Sequence, residues 1–188
     1  MLPFAPYSLM ADMKLYYMDD PLLRETSAEV EIVDSELVEY CERMYDFMET
    51  LRGAGLAAPQ VGRLERFIIV HRSVLPPVGD EVLVNPVISF ESDEVVTEEE
   101  GCLSFLSVAD NVTRPAAVTV EYTDLRGERK EMETEGLLAR AVLHEIDHLN
   151  GVLFVDHLSR LKRKLVKDRV RKRLRELEAE GKAGHIKK

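Results

Sequence analysis

Apolar residues along this chain change their spacing several times, and each change marks an element. Over residues 34–51, Leu37, Cys41, Met44, Met48 and Leu51 recur at steps of four and three, the pattern of one helical face. Asp34 or Ser35 stands where an N-cap belongs and Gly53 where a helix ends, so an amphipathic helix is predicted here. On its apolar stripe, Cys41 is predicted to be a packed core thiol. Beyond Gly62 the pattern shortens to β-rich runs at 67–70, at 82–90 with an interruption at Asn85 and Pro86, and at 118–123 before a turn at 124–127. A second helix is predicted over 136–149, where Leu137, Leu138, Ala141, Val142 and Ile146 supply a broad apolar face and Gly151 closes the element. The last helix, 159–180, takes Ser159 as its cap and has a narrow stripe of Leu161, Leu165, Val166, Val170, Leu174 and Leu177. The order of elements predicts an α+β fold. Mixed and antiparallel β-sheets pack around the central helix of residues 136–149, with an N-terminal amphipathic helix and a C-terminal helix beside them.

Composition narrows the picture. A chain of 188 residues with 45% hydrophobic content supports one core, read as a body over 1–159 followed by a basic helix and tail over 160–188. The net charge of -10 divides unevenly: the tail holds 13 Lys and Arg against 4 Asp and Glu, a local +9 that leaves -19 on the body. An acidic body discourages nonspecific binding of nucleic acid, while a basic tail suits a polyanion. Residues 1–13 have no basic start and no apolar run long enough for a bilayer, so no membrane partner is predicted; Met1, Met10 and Met13 are alternative starts. Two distant cysteines form no disulfide framework and suit a reducing cytoplasm, where a thiol stays free to bind metal.

The chemistry lies on the second helix. His144, Glu145 and His148 spell HExxH, and residues four apart share one face of a helix, so both imidazoles can address one ion while Glu145 handles protons. A hydrolytic site takes a third protein ligand and leaves one position for water. The HExxHxxGxxH pattern fails because Phe154 occupies its last position, and Glu176 and Glu178 fall in the basic tail. Cys102 is the better donor: a thiolate is a strong ligand for iron or zinc, and Gly101 permits close backbone approach. One thiolate and two neutral imidazoles leave a divalent ion with one net positive charge, which acidifies water less than a three-histidine site and makes Glu145 more important as general base and then general acid. His71, His157 and His185 stand alone in the sequence and are read as structural or exposed.

These motifs together resemble the peptide deformylase family. Gly53 to Gln60 (GAGLAAPQ) is similar to the family's GxGLAAxQ, residues 100–104 read EGCLS, and His144 to His148 read HExDH. Weaker similarity runs from Asp20 to Arg24 through Asp124, Gly127, Gly136, Ala139 and Arg140 to Leu153, Phe154 and Asp156. The resemblance implies a catalytic domain that removes the formyl group from the N-terminal formylmethionine of new polypeptides, with release of formate and water on the metal as nucleophile. It implies Fe2+ as the native ion, with Zn2+ or Ni2+ as substitutes. Cys102, His144 and His148 are its implied ligands and Glu145 its proton shuttle; Gln60 and the backbone amide of Leu103 would stabilise the oxyanion. Gly55, Glu100, Gly101 and Ala141 would contact N-formylmethionyl peptides, and the basic C-terminal helix would dock on the ribosome. Departures lie at Leu143, where the family commonly has Gln, at Phe105, Leu106 and Ser107, and at Ala109, where a substrate-contacting Arg is common. They predict intact metal chemistry with altered substrate affinity; the alternative is a weak homologue that binds formylated N-termini without efficient turnover.

Overall fold

The structure, a computed structural model, describes residues 13–74 and 81–180. Met1, Met10 and His185 lie outside that range. Helix α1 (Ser35–Thr50) starts where the Asp34 carboxylate accepts the Leu37 N–H at 2.9 Å, and it buries Leu37, Cys41, Met44 and Met48. Gly53 is not its left-handed terminus. Arg52 takes that conformation (φ 57°), and the Gly53 N–H returns to the Met48 carbonyl at 3.1 Å. Gly53 serves a different need, since a Cβ there would lie 2.9 Å from the Leu103 side chain.

Seven strands follow: β1 (Gly55–Ala57), β2 (Phe67–Val70), β3 (Val82–Glu91), β4 (Val95–Gly101), β5 (Ala109–Pro115), β6 (Ala117–Thr123) and β7 (Arg129–Glu135). Five form a sheet in the order β1-β2-β3-β6-β7, and β4 and β5 form a separate hairpin. Every hydrogen-bonded pair of these strands is antiparallel, and among the described residues one isolated bridge, Ala28 to Glu65, is parallel. Asn85 and Pro86 do not end β3. They sit in a register shift between Val84 and Val87, where Asn85 turns left-handed (φ 50°) and its side chain bonds both the N–H and the carbonyl of Val30.

The sequence pattern does not disclose β4, β5 and β7. In β4 the one buried side chain is Glu100, and in β5 they are Val112 and Arg114. An inward face made of a carboxylate and a guanidinium hides the apolar alternation by which strands are read. Strand β7 is a charged edge, RKEMETE, a composition that discourages pairing with another chain.

Helix α2 (Gly136–Leu149) lies across the large sheet and is buried on nearly every side, including Arg140, His144, Glu145 and His148. Leu137 is the exception: the broad apolar face predicted for it leaves this residue 60% exposed. Helix α3 (Arg160–Ala179) docks through Val166 and Val170, both at 0% exposure in a cluster with Leu23, Phe154 and Val155, whereas Leu161 and Leu165 of the expected stripe are exposed. No helix among the described residues is long and apolar enough to cross a membrane.

The chain leaves α2 at Gly151, with φ 69°, against the N-terminal segment. The neighbouring Leu149 carbonyl accepts the Ser27 N–H at 2.8 Å, and a Cβ on Gly151 would stand 2.4 Å from the Arg24 carbonyl oxygen. Gly151→Ala therefore combines left-handed strain of about 1–2 kcal/mol with a backbone overlap. The expected loss of stability is on the order of 3 kcal/mol, read from denaturant unfolding.

Candidate metal centre

The second helix presents His144 and His148 toward the loop after β4, which carries Cys102. Ligand atoms of the three residues lie within 4.8 Å of one another, all buried, and Cys102 Sγ is 3.3 Å from His148 Nε2. Sulfur and nitrogen on one tetrahedral ion, at roughly 2.3 and 2.0 Å from it, stand about 3.5 Å apart, so the donor set fits a single metal. His144 is oriented for this use because its Nδ1 is held by Glu100 Oε1 at 2.6 Å, which leaves Nε2 for the ion.

Charge arrangement around the donors points the same way. Burial disfavours a charged His144, yet the Cys102 thiol and the Glu100 carboxylate raise its pKa well above the usual imidazole value: the pocket favours a cation at this point. Burial and the positive charge at His144 push His148 far down, which keeps a lone pair available. Burial opposes ionisation of Glu100, but the hydrogen bonds from His144 and Arg114 override it and lower its pKa. Arg114 grips this carboxylate with two nitrogens, Nε at 3.1 Å and Nη2 at 2.7 Å, and Arg140 Nη1 adds a third contact at 3.1 Å. Behind Arg114 stands Asp147, whose Oδ2 takes Arg114 Nη1 at 2.6 Å and His157 Nε2 at 2.8 Å. His157 therefore does not stand alone; it is the outer end of a chain running from His144 through Glu100, Arg114 and Asp147. Asp147 occupies one of the unspecified positions of HExxH, and nothing in the linear pattern pairs it with Arg114. The HExDH form of the motif is the one signal for it.

Glu145 faces the same cavity from one residue away. Burial pushes its pKa up to about 7, His144 and Arg114 pulling down while Glu100 and Asp147 push up. Its Oε2 has no hydrogen-bond partner among the described residues, and its Oε1 packs so closely on Gly55 that a Cβ there would be 2.6 Å away. Gly55 is thus the floor on which Glu145 rests. Gln60 sits in a 3-10 turn (Ala58–Val61): its Oε1 accepts the Ala57 N–H at 2.8 Å, and its Nε2 bonds Ser104 Oγ at 3.1 Å and lies 3.6 Å from Cys102 Sγ. The fixed carbonyl end aims the amide nitrogen at the metal-ligand cluster. The cavity they enclose, about 270 Å³, is walled by Gly101, Leu103 and Ala141 as well. Glu100 also borders it, although its carboxylate is spent on His144, Arg114 and Arg140.

The unusual residues fall into two groups. Leu143 packs on Val118 and Ala139, and Phe105 is fully buried edge-on to Phe154 with ring centroids 4.9 Å apart; both belong to the core. Leu106 and Ser107 take consecutive left-handed conformations (φ 54° and 58°), and Ser107 borders the cavity, while Ala109 begins β5 opposite Gly101. His71 stacks on Tyr45 and bonds Ser73, away from the ligands. Cys41 is buried in the core with its thiol pKa pushed up by burial to about 12, which makes it inert as a ligand. If Glu100 orients His144 as this geometry requires, Glu100→Gln weakens metal retention roughly 10- to 100-fold, measured by competition with a chelator.

Comparisons with known proteins show the family to which such a chain belongs. The sequence profile of the family described as polypeptide deformylase matches residues 13–164. A peptide deformylase of Brucella suis is 44% identical over 158 residues, covering 84% of this chain and 90% of the relative. A crystal structure of a peptide deformylase from Legionella pneumophila superposes with a TM-score of 0.82 at 40% identity, covering 88% of this chain and 96% of that one. Another, from Synechococcus elongatus in complex with actinonin, gives 0.77 at 38% identity, with 84% and 86% covered. The chain belongs to the polypeptide deformylase family of metal-dependent hydrolases.

Proposed function

We propose that this chain hydrolyses the formamide of N-formylmethionyl polypeptides at the Cys102, His144, His148 centre and releases formate, in the cytoplasm where those polypeptides are made. The observation that carries this reading is a buried cluster of three possible metal donors beside a cavity lined by Gln60 and by Glu145, whose Oε2 has no hydrogen-bond partner among the described residues. A divalent ion held there, Fe2+ in the native protein with Zn2+ or Ni2+ as substitutes, supplies Lewis acidity that lowers the pKa of water and polarises the formyl carbonyl.

Glu145 takes the proton from the attacking water and returns it to the departing amine. Burial raises its pKa to about 7, which supports a role for it in both taking and giving a proton. Gln60 Nε2 and the Leu103 N–H donate to the formyl oxygen as it becomes negative. The walls at Gly55, Glu100, Gly101 and Ala141 receive the methionine, where small residues leave room for its unbranched side chain. The alternative, binding without efficient turnover, finds no specific observation in its favour: Phe105 and Leu143 fill the core, and Ser107 and Ala109 replace none of the metal donors, Glu145 or Gln60.

Anaerobic assay of formate release from formyl-Met-Ala-Ser with Fe2+ or Ni2+ supplied tests the reading. The wild type turns over, and Glu145→Gln loses 10²- to 10⁴-fold in kcat with its metal retained. Gly55→Ala, which displaces the Glu145 carboxylate, loses kcat in the same way. Binding of the formyl peptide without formate release by the fully metal-loaded wild type would reject the proposal.

Ribosome docking through α3 is part of the same proposal. Arg160, Lys167, Arg169, Arg173 and Arg175 form no salt bridge among the described residues, which leaves their charge available to a polyanion. Removing the helix would expose Val166 and Val170, so charge reversal is the cleaner test. Arg169→Glu with Arg173→Glu is expected to abolish salt-sensitive co-sedimentation with ribosomes while formate release from short peptides persists; co-sedimentation equal to the wild type rejects docking through this face.

A further inference from the structure

The cavity at the metal ligands opens into a second one of about 610 Å³, and the two share Arg52, Gly53, Ala54 and Leu137. A polypeptide with its first residue held beside His144 and Glu145 must leave over this shared rim, advancing about 3.3 Å per residue if extended. Leu137, 60% exposed, offers it an apolar surface there.

Most charges lining the two spaces are already engaged. Glu100, Arg140 and His144 bind one another, and in the second cavity Glu49 Oε1 lies 3.4 Å from His71 Nε2 while His71 Nδ1 holds Ser73. Arg52 differs: it is exposed on the shared rim and forms no salt bridge among the described residues. Its position is set by its backbone, which ends α1 in the left-handed region with the N–H bonded to the Glu49 carbonyl at 3.0 Å. Across the first cavity stands Glu99, which has no salt bridge among the described residues either and does not border the second cavity. Positive charge therefore stands on the shared rim, while the carboxylate of the second cavity, Glu49, faces His71 and that of Glu99 borders the catalytic space.

We propose that the second cavity receives the residues downstream of the formylmethionine and that Arg52 makes it selective for an acidic side chain there. This rests on the deformylase reading and adds a sequence preference to it. An exposed ion pair of this kind changes kcat/KM about 2- to 5-fold. Because the contact is the same before and during reaction, the change falls in KM, and added salt screens it.

The test compares formyl-Met-Ala-Ser-Ser with peptides carrying Glu or Lys at the third or fourth position, against the wild type, Arg52→Ala, Arg52→Lys and Arg52→Glu. Wild type and Arg52→Lys should prefer Glu over Lys at one of these positions, with the preference reduced in 0.5 M salt. Arg52→Ala should lose it and Arg52→Glu reverse it. A wild type without preference, or one that keeps its preference in Arg52→Ala, overturns the proposal. Failure to release formate from the neutral peptide rejects the deformylase reading instead, so the two failures are told apart.

Discussion

A carboxylate buried to 5% exposure costs several kcal/mol unless cations and donors meet its lone pairs, and Glu100 satisfies that condition by drawing His144, Arg114 and Arg140 to one point. Three elements are tied by this contact. Glu100 belongs to β4, Arg114 to β5, and Arg140 and His144 to α2, so the hairpin is held on the helix by ions where the large sheet is held by side chains such as Leu83, Val142 and Ile146. The loop that follows Glu100 carries Cys102, and its place opposite His148 depends on that anchoring. Removing one partner would leave a buried charge unmatched, a larger loss than any surface ion pair entails.

The same arrangement divides labour among three neighbouring carboxyl groups. Glu100 and Asp147 face guanidinium groups that hold their pKa values down, while Glu145, one residue from His144, faces the cavity with its pKa raised to about 7, chiefly by burial. Identical chemistry thus yields two structural anions and one group able to exchange a proton. Gly55 completes the arrangement by letting β1 approach Glu145 where no side chain fits.

Departures from the family pattern separate along the same line. Leu143 and Phe105 place apolar bulk in the core, where they face Val118 and Phe154. Ser107 borders the cavity and Ala109 stands opposite Gly101, so these two departures lie nearer its mouth.

By itself the sequence determined the three helices, strands β2, β3 and β6, and three residues that the fold brings together where they could hold a metal. Periodic apolar faces and the four-residue spacing of His144 and His148 are local properties, and a lone cysteine beside glycine is legible once a third ligand is required. Only the tertiary structure decided what surrounds those donors. Arg114 and His157 lie 30 residues before and 13 after His144 in the chain, and nothing local indicates that their charges balance Glu100 and Asp147. Strands β4 and β5 escaped the pattern for the same reason, since their inward residues include Glu100 and Arg114, and only long-range pairing makes those residues fit to bury.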